Sequence, residues 1–142
     1  MLSKCLYKPG LTNAKSDGMT AFIWACAKNP NPEVIKAFLR FGANIDSKTD
    51  SGTTMLMWAA GMNANPEIIN TLISEGADVN EKRSGDDMTA LMCAAWMNSN
   101  PNVIKALLQA GAEKDAKNSA GMTAKDFASD NDNSASILRA LE

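Results

Sequence analysis

The chain has 142 residues, of which 45% are hydrophobic and 21% charged, and its net charge at pH 7 is −2. This composition is that of a globular protein with one domain, and without an excess of positive charge nucleic acid is not an expected partner. Histidine is absent, which excludes Ser-His-Asp and Cys-His catalysis and every His-ligated metal site.

No apolar run reaches the roughly 20 residues of a membrane-spanning helix, and the N-terminus lacks the apolar stretch of a signal peptide. The three cysteines, Cys5, Cys26 and Cys93, form no C-x-x-C pair, and their odd number favours free thiols in a reducing compartment. We therefore expect a cytoplasmic protein that makes no use of a membrane. Cys26 and Cys93 lie in Ala-rich apolar runs, which predicts that both are buried in the core.

One pattern recurs along almost the whole chain. An Ala-rich apolar run follows each of four threonines, which are spaced by 34, 35 and 34 residues: Thr20, Thr54, Thr89 and Thr123. A glycine followed by alanine keeps the same step, at Gly42, Gly76 and Gly111. Two markers in one register indicate a repeat protein, whose units bury their apolar faces only against one another.

Each unit predicts two helices. The threonine caps the first helix, and an Asn-x-Asn loop precedes the second, whose first position is proline in three units: Pro32, Pro66 and Pro101. The second helix carries apolar residues on one face, as in Ile68, Ile69, Leu72 and Ile73, while Lys36, Asn70 and Lys105 lie on the opposite, solvent-facing side. The glycine of the Gly-Ala pair then ends the helix.

A polar stretch follows each second helix and predicts an extended arm with a hairpin-like turn, as at Asp50-Ser51-Gly52. The third arm holds one extra residue and places Asp87 where the other arms have glycine. We interpret the adjacent Asp86 and Asp87 as solvated loop charge. Residues 130–134 begin like a calcium loop but lack its glycine and its glutamate, so we expect no metal.

This arrangement resembles the ankyrin repeat family. Its Thr-Pro-Leu-His-x-Ala-Ala motif appears as Thr89-Ala90-Leu91-Met92-Cys93-Ala94-Ala95, and its Gly-Ala-Asp-Val-Asn motif appears intact at Gly76-Ala77-Asp78-Val79-Asn80. The resemblance implies an all-α solenoid of stacked helix-loop-helix units with projecting hairpin-like arms. We expect a single domain with a partial unit at 1–15, full repeats at 16–49, 50–84 and 85–118, and a capping repeat at 119–142.

The resemblance also implies a concave protein-binding face, formed by the first helices and the arm tips. Its variable positions on the helices include Lys28, Met62, Trp96, Met97 and Asp130, and those on the tips include Asp50, Ser51, Asp86 and Met88. In the other repeats the position of Trp96 holds Ala27 and Gly61, so Trp96 has no packing counterpart. We predict that Trp96 is a binding hot spot, with Met62 and Met97 beside it and charged residues at the rim. The alternative is that Trp96 packs over its own inter-helix loop.

One further repeat position holds Trp24, Trp58, Cys93 and Phe127, and we interpret it as a packing position. The function predicted from these patterns is a non-catalytic module, without cofactor, that binds another protein. We expect a monomer, with self-association through the Trp96 patch as the alternative. Other interpretations are a structural segment of a longer array, an engineered scaffold without a dedicated partner, and an enzyme with Cys26 or Cys93 as nucleophile, which no histidine would activate.

Overall fold

A computed structural model describes residues 15–16 and 19–142 of the chain, with side chains from Ala21 onward. Cys5 and almost all of the partial unit predicted at 1–15 lie outside the described residues. Two short strands, β1 (Lys15–Ser16) and β2 (Met19–Thr20), pair antiparallel, with Lys15 opposite Thr20 and Ser16 opposite Met19. They form the hairpin of the first arm.

Eight helices follow in the described part of the chain, two in each repeat. The first helices are α1 (Ala21–Lys28), α3 (Met55–Met62), α5 (Ala90–Met97) and α7 (Ala124–Ala128). The second helices are α2 (Pro32–Arg40), α4 (Pro66–Ser74), α6 (Pro101–Gln109) and α8 (Ser134–Ala140). First helices pack against first helices of adjacent repeats and second helices against second helices, which gives two layers and confirms the predicted all-α solenoid.

The first helices begin at threonine, as predicted. The hydroxyl oxygens of Thr54 and Thr89 accept hydrogen bonds from the N–H groups three residues further on, at 3.2 and 3.3 Å. Thr123 differs, because its N–H donates to the Asp126 carboxylate at 2.8 Å and its hydroxyl donates to the same oxygen at 3.1 Å. These hydrogen bonds lower the pKa of the Asp126 carboxyl group.

Both ends of the second helices also match the predicted signals. Asparagine caps them, with side-chain oxygens that accept from the N–H two residues on at 3.0 Å, in Asn31, Asn65 and Asn100. Gly42 follows the first of these helices with a φ of +91°, which a residue with a side chain rarely adopts. The Gly42 and Ala43 N–H groups donate back to Leu39 and Phe38 at 3.1 and 3.0 Å and close the helix end.

The core lies between the two layers. Ile68, Ile69 and Leu72 are fully buried while Asn70 is exposed, which confirms the predicted face of the second helix. Cys26 and Cys93 are buried as predicted, and burial raises the pKa of both thiols, that of Cys93 to about 11.

The residues at the predicted packing position occupy the same place in each repeat, but they are not equally buried. Cys93 is buried, and Trp58 is partly buried because it lies on α3, which has α1 on one side and α5 on the other. Trp24 is 52% exposed, so the packing prediction is wrong for it.

Candidate protein-binding surface

A ladder of asparagine side chains ties each repeat to the one before it. The amide nitrogen of Asn63 donates to the carbonyl oxygens of Cys26 at 3.0 Å and Asn29 at 2.8 Å, both in the preceding repeat. The same two bonds recur one and two repeats further on, made by Asn98 and Asn131. We call Asn29, Asn63, Asn98 and Asn131 the asparagine ladder. The sequence signalled these residues only as loop formers, because their partners lie more than 30 residues away.

The ladder corrects the alignment of the last repeat. Asn131 follows its threonine one residue sooner than the other ladder asparagines follow theirs. The chain absorbs the missing residue in a tighter turn, since the Asn131 N–H donates to Ala128, three residues back. The Asn63 and Asn98 N–H groups instead donate four residues back. Asp130 and Met97 both directly precede a ladder asparagine, so Asp130 is the counterpart of Met97. Counting from the threonines had instead aligned Asp130 with Trp96.

The residues directly before the ladder form one row with one member per repeat: Lys28, Met62, Met97 and Asp130. We call it the pre-ladder row. Its first three members line a single open groove of about 280 Å³ along the C-terminal ends of the first helices. Met62 is 38% exposed and Met97 is 47% exposed. Lys28 and Asp130 are also exposed. The structure therefore brings Lys28, Met62 and Met97 together on one surface, and Asp130 is the next member of the row in repeat register.

The Met97 side chain packs over Gly61 of the adjacent helix α3, where no side chain stands. A β-carbon placed on Gly61 would lie 2.5 Å from the terminal methyl carbon of Met97. The thioether of Met97 thus lies across the place where a larger residue of α3 would stand. Because the Met97 side chain is flexible and half exposed, the floor of the groove can adapt to a ligand.

Trp96 does have a packing partner, which corrects the prediction that its position needs no large side chain. Its ring centroid lies 6.0 Å from that of Phe127 in the last repeat, with the planes tilted by 45°. The sequence did not predict this contact, and the hot-spot role of Trp96 stays a prediction. The indole still exposes 47% of its surface, next to Met97. Trp96 therefore combines a contact to the last repeat with an exposed apolar face.

The arm tips stand apart from this surface. Asp50 and Ser51 are exposed, but they precede α3, whereas Met62 is the last residue of that helix. An eight-residue helix is about 12 Å long, so the tips and the pre-ladder row lie at opposite ends of the first helices. The Ser51 hydroxyl contacts the hydroxyls of Thr49 and Thr53 at 2.8 and 3.0 Å. The predicted single patch with Asp50 and Asp86 at its rim is divided into two.

The tip of the third arm is held in place by contacts to other residues of the chain. The Arg83 guanidinium holds both carboxylate oxygens of Asp86, one of them at 2.9 Å from Nε, and lowers the pKa of that carboxyl group. The Asp86 carbonyl accepts from the Ser119 N–H of the next arm at 3.0 Å. Asp86 thus pairs with Arg83 and links two arms while its side chain stays 42% exposed. Its role as a contact for a partner stays a prediction.

Met88 is buried, with 3% of its surface exposed, so its assignment as a contact for a partner is wrong. Its arm closes with a hydrogen bond of 2.8 Å from the Arg83 N–H to the Met88 carbonyl, and the counterpart residue of the second arm, Thr53, is buried as well. The Met88 sulfur then lies 3.9 Å from the side-chain nitrogen of Asn118 in the following arm. Asp87 supplies the left-handed residue of this turn with a φ of +59°, where Gly52 and Gly121 have +80° and +79°.

Stacked two-helix units, projecting arms and side-chain bonds from each unit to the one before define a helical repeat solenoid. A family model described as ankyrin repeats (3 copies) matches residues 1–83 and 62–141. The chain belongs to the ankyrin repeat family, which confirms the resemblance seen in its motifs. Ankyrin repeats are generally protein–protein interaction modules, and the family is typically non-catalytic. No match is found among curated proteins. In the part of the chain that the structure describes, none of the helices has the length and hydropathy to cross a membrane.

Proposed function

We propose that this chain is a non-catalytic module of the cytoplasm that binds another protein through the side formed by its first helices. One observation carries the proposal. Large apolar side chains are exposed at Met62, Trp96 and Met97, which lie at the C-terminal ends of the adjacent helices α3 and α5. Contiguous apolar surface of this kind is typical of interaction sites.

The chemistry of these side chains suits an interface. Tryptophan and methionine are enriched at the centres of protein interfaces, and the thioethers of Met62 and Met97 can adjust to the shape of a partner. Polar groups surround them, with Lys28 and Ser99 in the groove and Asp130 next along the pre-ladder row. An apolar centre with a polar rim is how such surfaces are commonly arranged.

The buried thiols support the non-catalytic part of the proposal. Cys26 and Cys93 are both enclosed in the core, and burial raises their pKa, which disfavours the thiolate that a cysteine nucleophile requires. The sequence offers no histidine to activate them. Labelling of the native protein with a thiol reagent tests this point, because we expect both thiols to stay unreacted until the chain unfolds.

A pull-down with the immobilised protein tests the interaction surface, with Trp96→Ala and Met97→Ala as variants. We expect each to reduce capture of the partner, and Trp96→Ala to weaken binding by about 2 kcal/mol or more, as a hot-spot residue does. The matched control is Phe41→Ala, because Phe41 is an aromatic residue of similar exposure (53%) after the end of the second helix α2. It should leave binding unchanged.

Circular dichroism must accompany the pull-down, because loss of the Trp96 contact with Phe127 also lowers stability, by about 0.5–1.5 kcal/mol for an aromatic pair. Met97→Ala leaves that contact in place and so separates binding from folding. Retained capture by both folded variants would contradict the proposed surface, and so would an equal loss of capture in Phe41→Ala.

A further inference from the structure

The pre-ladder row carries an ordered pattern of charge that the proposed function does not itself require. Along the stack its members read positive, apolar, apolar and negative: Lys28, Met62, Met97 and Asp130. Asp132, exposed and two residues beyond Asp130, adds to the negative end. Neither Lys28 nor Asp130 forms an ion pair with any residue that the structure describes, so both charges are available to a partner.

The spacing of the row follows from the ladder. Each ladder asparagine is bonded to the one before it, from Asn29 through Asn63 and Asn98 to Asn131. Because helices pack at about 8–10 Å from their neighbours, the four members of the row are separated by similar steps. The midpoint of the row therefore lies between Met62 and Met97, with the opposite charges at similar distances on either side.

A row with this symmetry is complementary to itself when its direction is reversed. Consider a two-fold axis that passes through the midpoint and runs parallel to the first helices. It would place Lys28 of one copy opposite Asp130 of a second copy at each end, and Met62 opposite Met97 at the centre. Such an interface uses the same patch on both subunits, as two-fold dimers do. Under this axis the first helices of the two copies point the same way, so the arms of both copies lie at the same end of the dimer, away from the row.

We propose that the pre-ladder row binds a second copy of this chain in a two-fold, antiparallel arrangement. This inference rests on the proposed function and names the partner of the same surface, in place of the monomer expected from the sequence. Charge complementarity supports a second copy as the partner. A partner for this row must present the reverse order of charges, and a second copy of this chain presents that order when its direction is reversed. Four side chains are a small part of the ~800 Å² that each partner buries in a stable interface, so the dimer is weak and depends on concentration.

Sedimentation equilibrium of the full chain over a wide range of concentrations tests the proposal. We expect the wild-type protein to self-associate, and Lys28→Glu and Asp130→Lys each to weaken association about tenfold or more, because each places like charges opposite one another at both ends.

The decisive sample is an equimolar mixture of the two variants. At one end of the mixed dimer the two substituted side chains face each other, and they again carry opposite charges. At the other end the unchanged Lys28 of one copy faces the unchanged Asp130 of the other. Association should therefore return to near the wild-type level.

The control is Lys105→Glu, which makes the same change of charge at an exposed position on the second helix α6. It should leave association unaltered, and circular dichroism should show all three variants folded. A wild-type protein that stays monomeric throughout, a mixture no better than its separate variants, or an equal effect of Lys105→Glu would each overturn the proposal. A monomer that still captures another protein, and loses it with Met97→Ala, would overturn the dimer while leaving the proposed function intact.

Discussion

Replacement of Asn98 by alanine should be among the most damaging single changes of a polar residue in this protein. The Asn98 side chain is 3% exposed and makes three hydrogen bonds. Its nitrogen donates to the carbonyls of Ala60 and Asn63 in the preceding repeat, at 2.8 Å each. Its oxygen accepts from the Asn100 N–H at 2.9 Å, within the loop that leads to α6. Alanine removes all three bonds at once.

The cost follows from what is left behind. A typical hydrogen bond contributes about 1 kcal/mol net to stability, and a buried polar group without a partner costs about 1–3 kcal/mol. Loss of three bonds around a buried side chain should therefore lower the free energy of unfolding by about 2–4 kcal/mol. Asn102→Ala is the matched control, because Asn102 is an exposed asparagine in the first turn of the same helix α6. Its replacement should change stability by no more than about 0.5 kcal/mol.

Urea denaturation followed by circular dichroism measures the difference, provided that the dependence on urea has the same slope in each variant. A smaller slope in Asn98→Ala would mean that the repeats no longer unfold together, which is itself a consequence of losing the ladder. Equal stability of Asn98→Ala and Asn102→Ala would refute the reasoning. Water would then replace the ladder bonds without cost. Apolar packing and the other bonds between repeats, from Asn65, Asn100 and Asn133, would hold the repeats in register.

Three further changes test the local structure. Gly61→Ala should stabilise the protein by about 0.5 kcal/mol, measured as a rise in melting temperature. Helix propensity improves by up to about 1 kcal/mol, and only the flexible end of the Met97 side chain must move. A lower melting temperature in both the wild-type and the Met97→Ala backgrounds would contradict this. Asp87→Gly should raise stability to urea, since glycine lacks the cost of about 1–2 kcal/mol that a side chain incurs at a left-handed φ, and an unchanged midpoint would speak against this. Leu72→Ala should lower the free energy of unfolding by about 2–5 kcal/mol, while Asn70→Ala should lower it by no more than about 0.5 kcal/mol. Similar decreases for the two variants, measured by thermal unfolding, would mean that the buried face of α4 is misplaced.

The sequence alone was sufficient for the architecture, because the features that define it act over a few residues. The threonine and Asn-Pro signals specify where helices begin, and the glycines specify where second helices end, through bonds to groups two to five residues away. The apolar spacing of Ile68, Ile69 and Leu72 assigns the buried face of a second helix without knowledge of its neighbours. Repetition of these local signals at one interval then implies stacking, since a single unit has nothing else to cover its apolar face.

The tertiary structure decided what the exposed side chains do, because that depends on neighbours about one repeat length away in sequence. Trp24 and Cys93 show that position in the repeat does not determine burial, because they share one repeat position and Cys93 is buried while Trp24 is 52% exposed. Trp96 meets Phe127 only because the last repeat stacks beside it. Asp130 joins the pre-ladder row only because Asn131 bonds to the preceding repeat and its shorter loop tightens to let it do so. Local signals determine the helices and their order, while the stacking of one repeat on another determines which surface residues face a partner together.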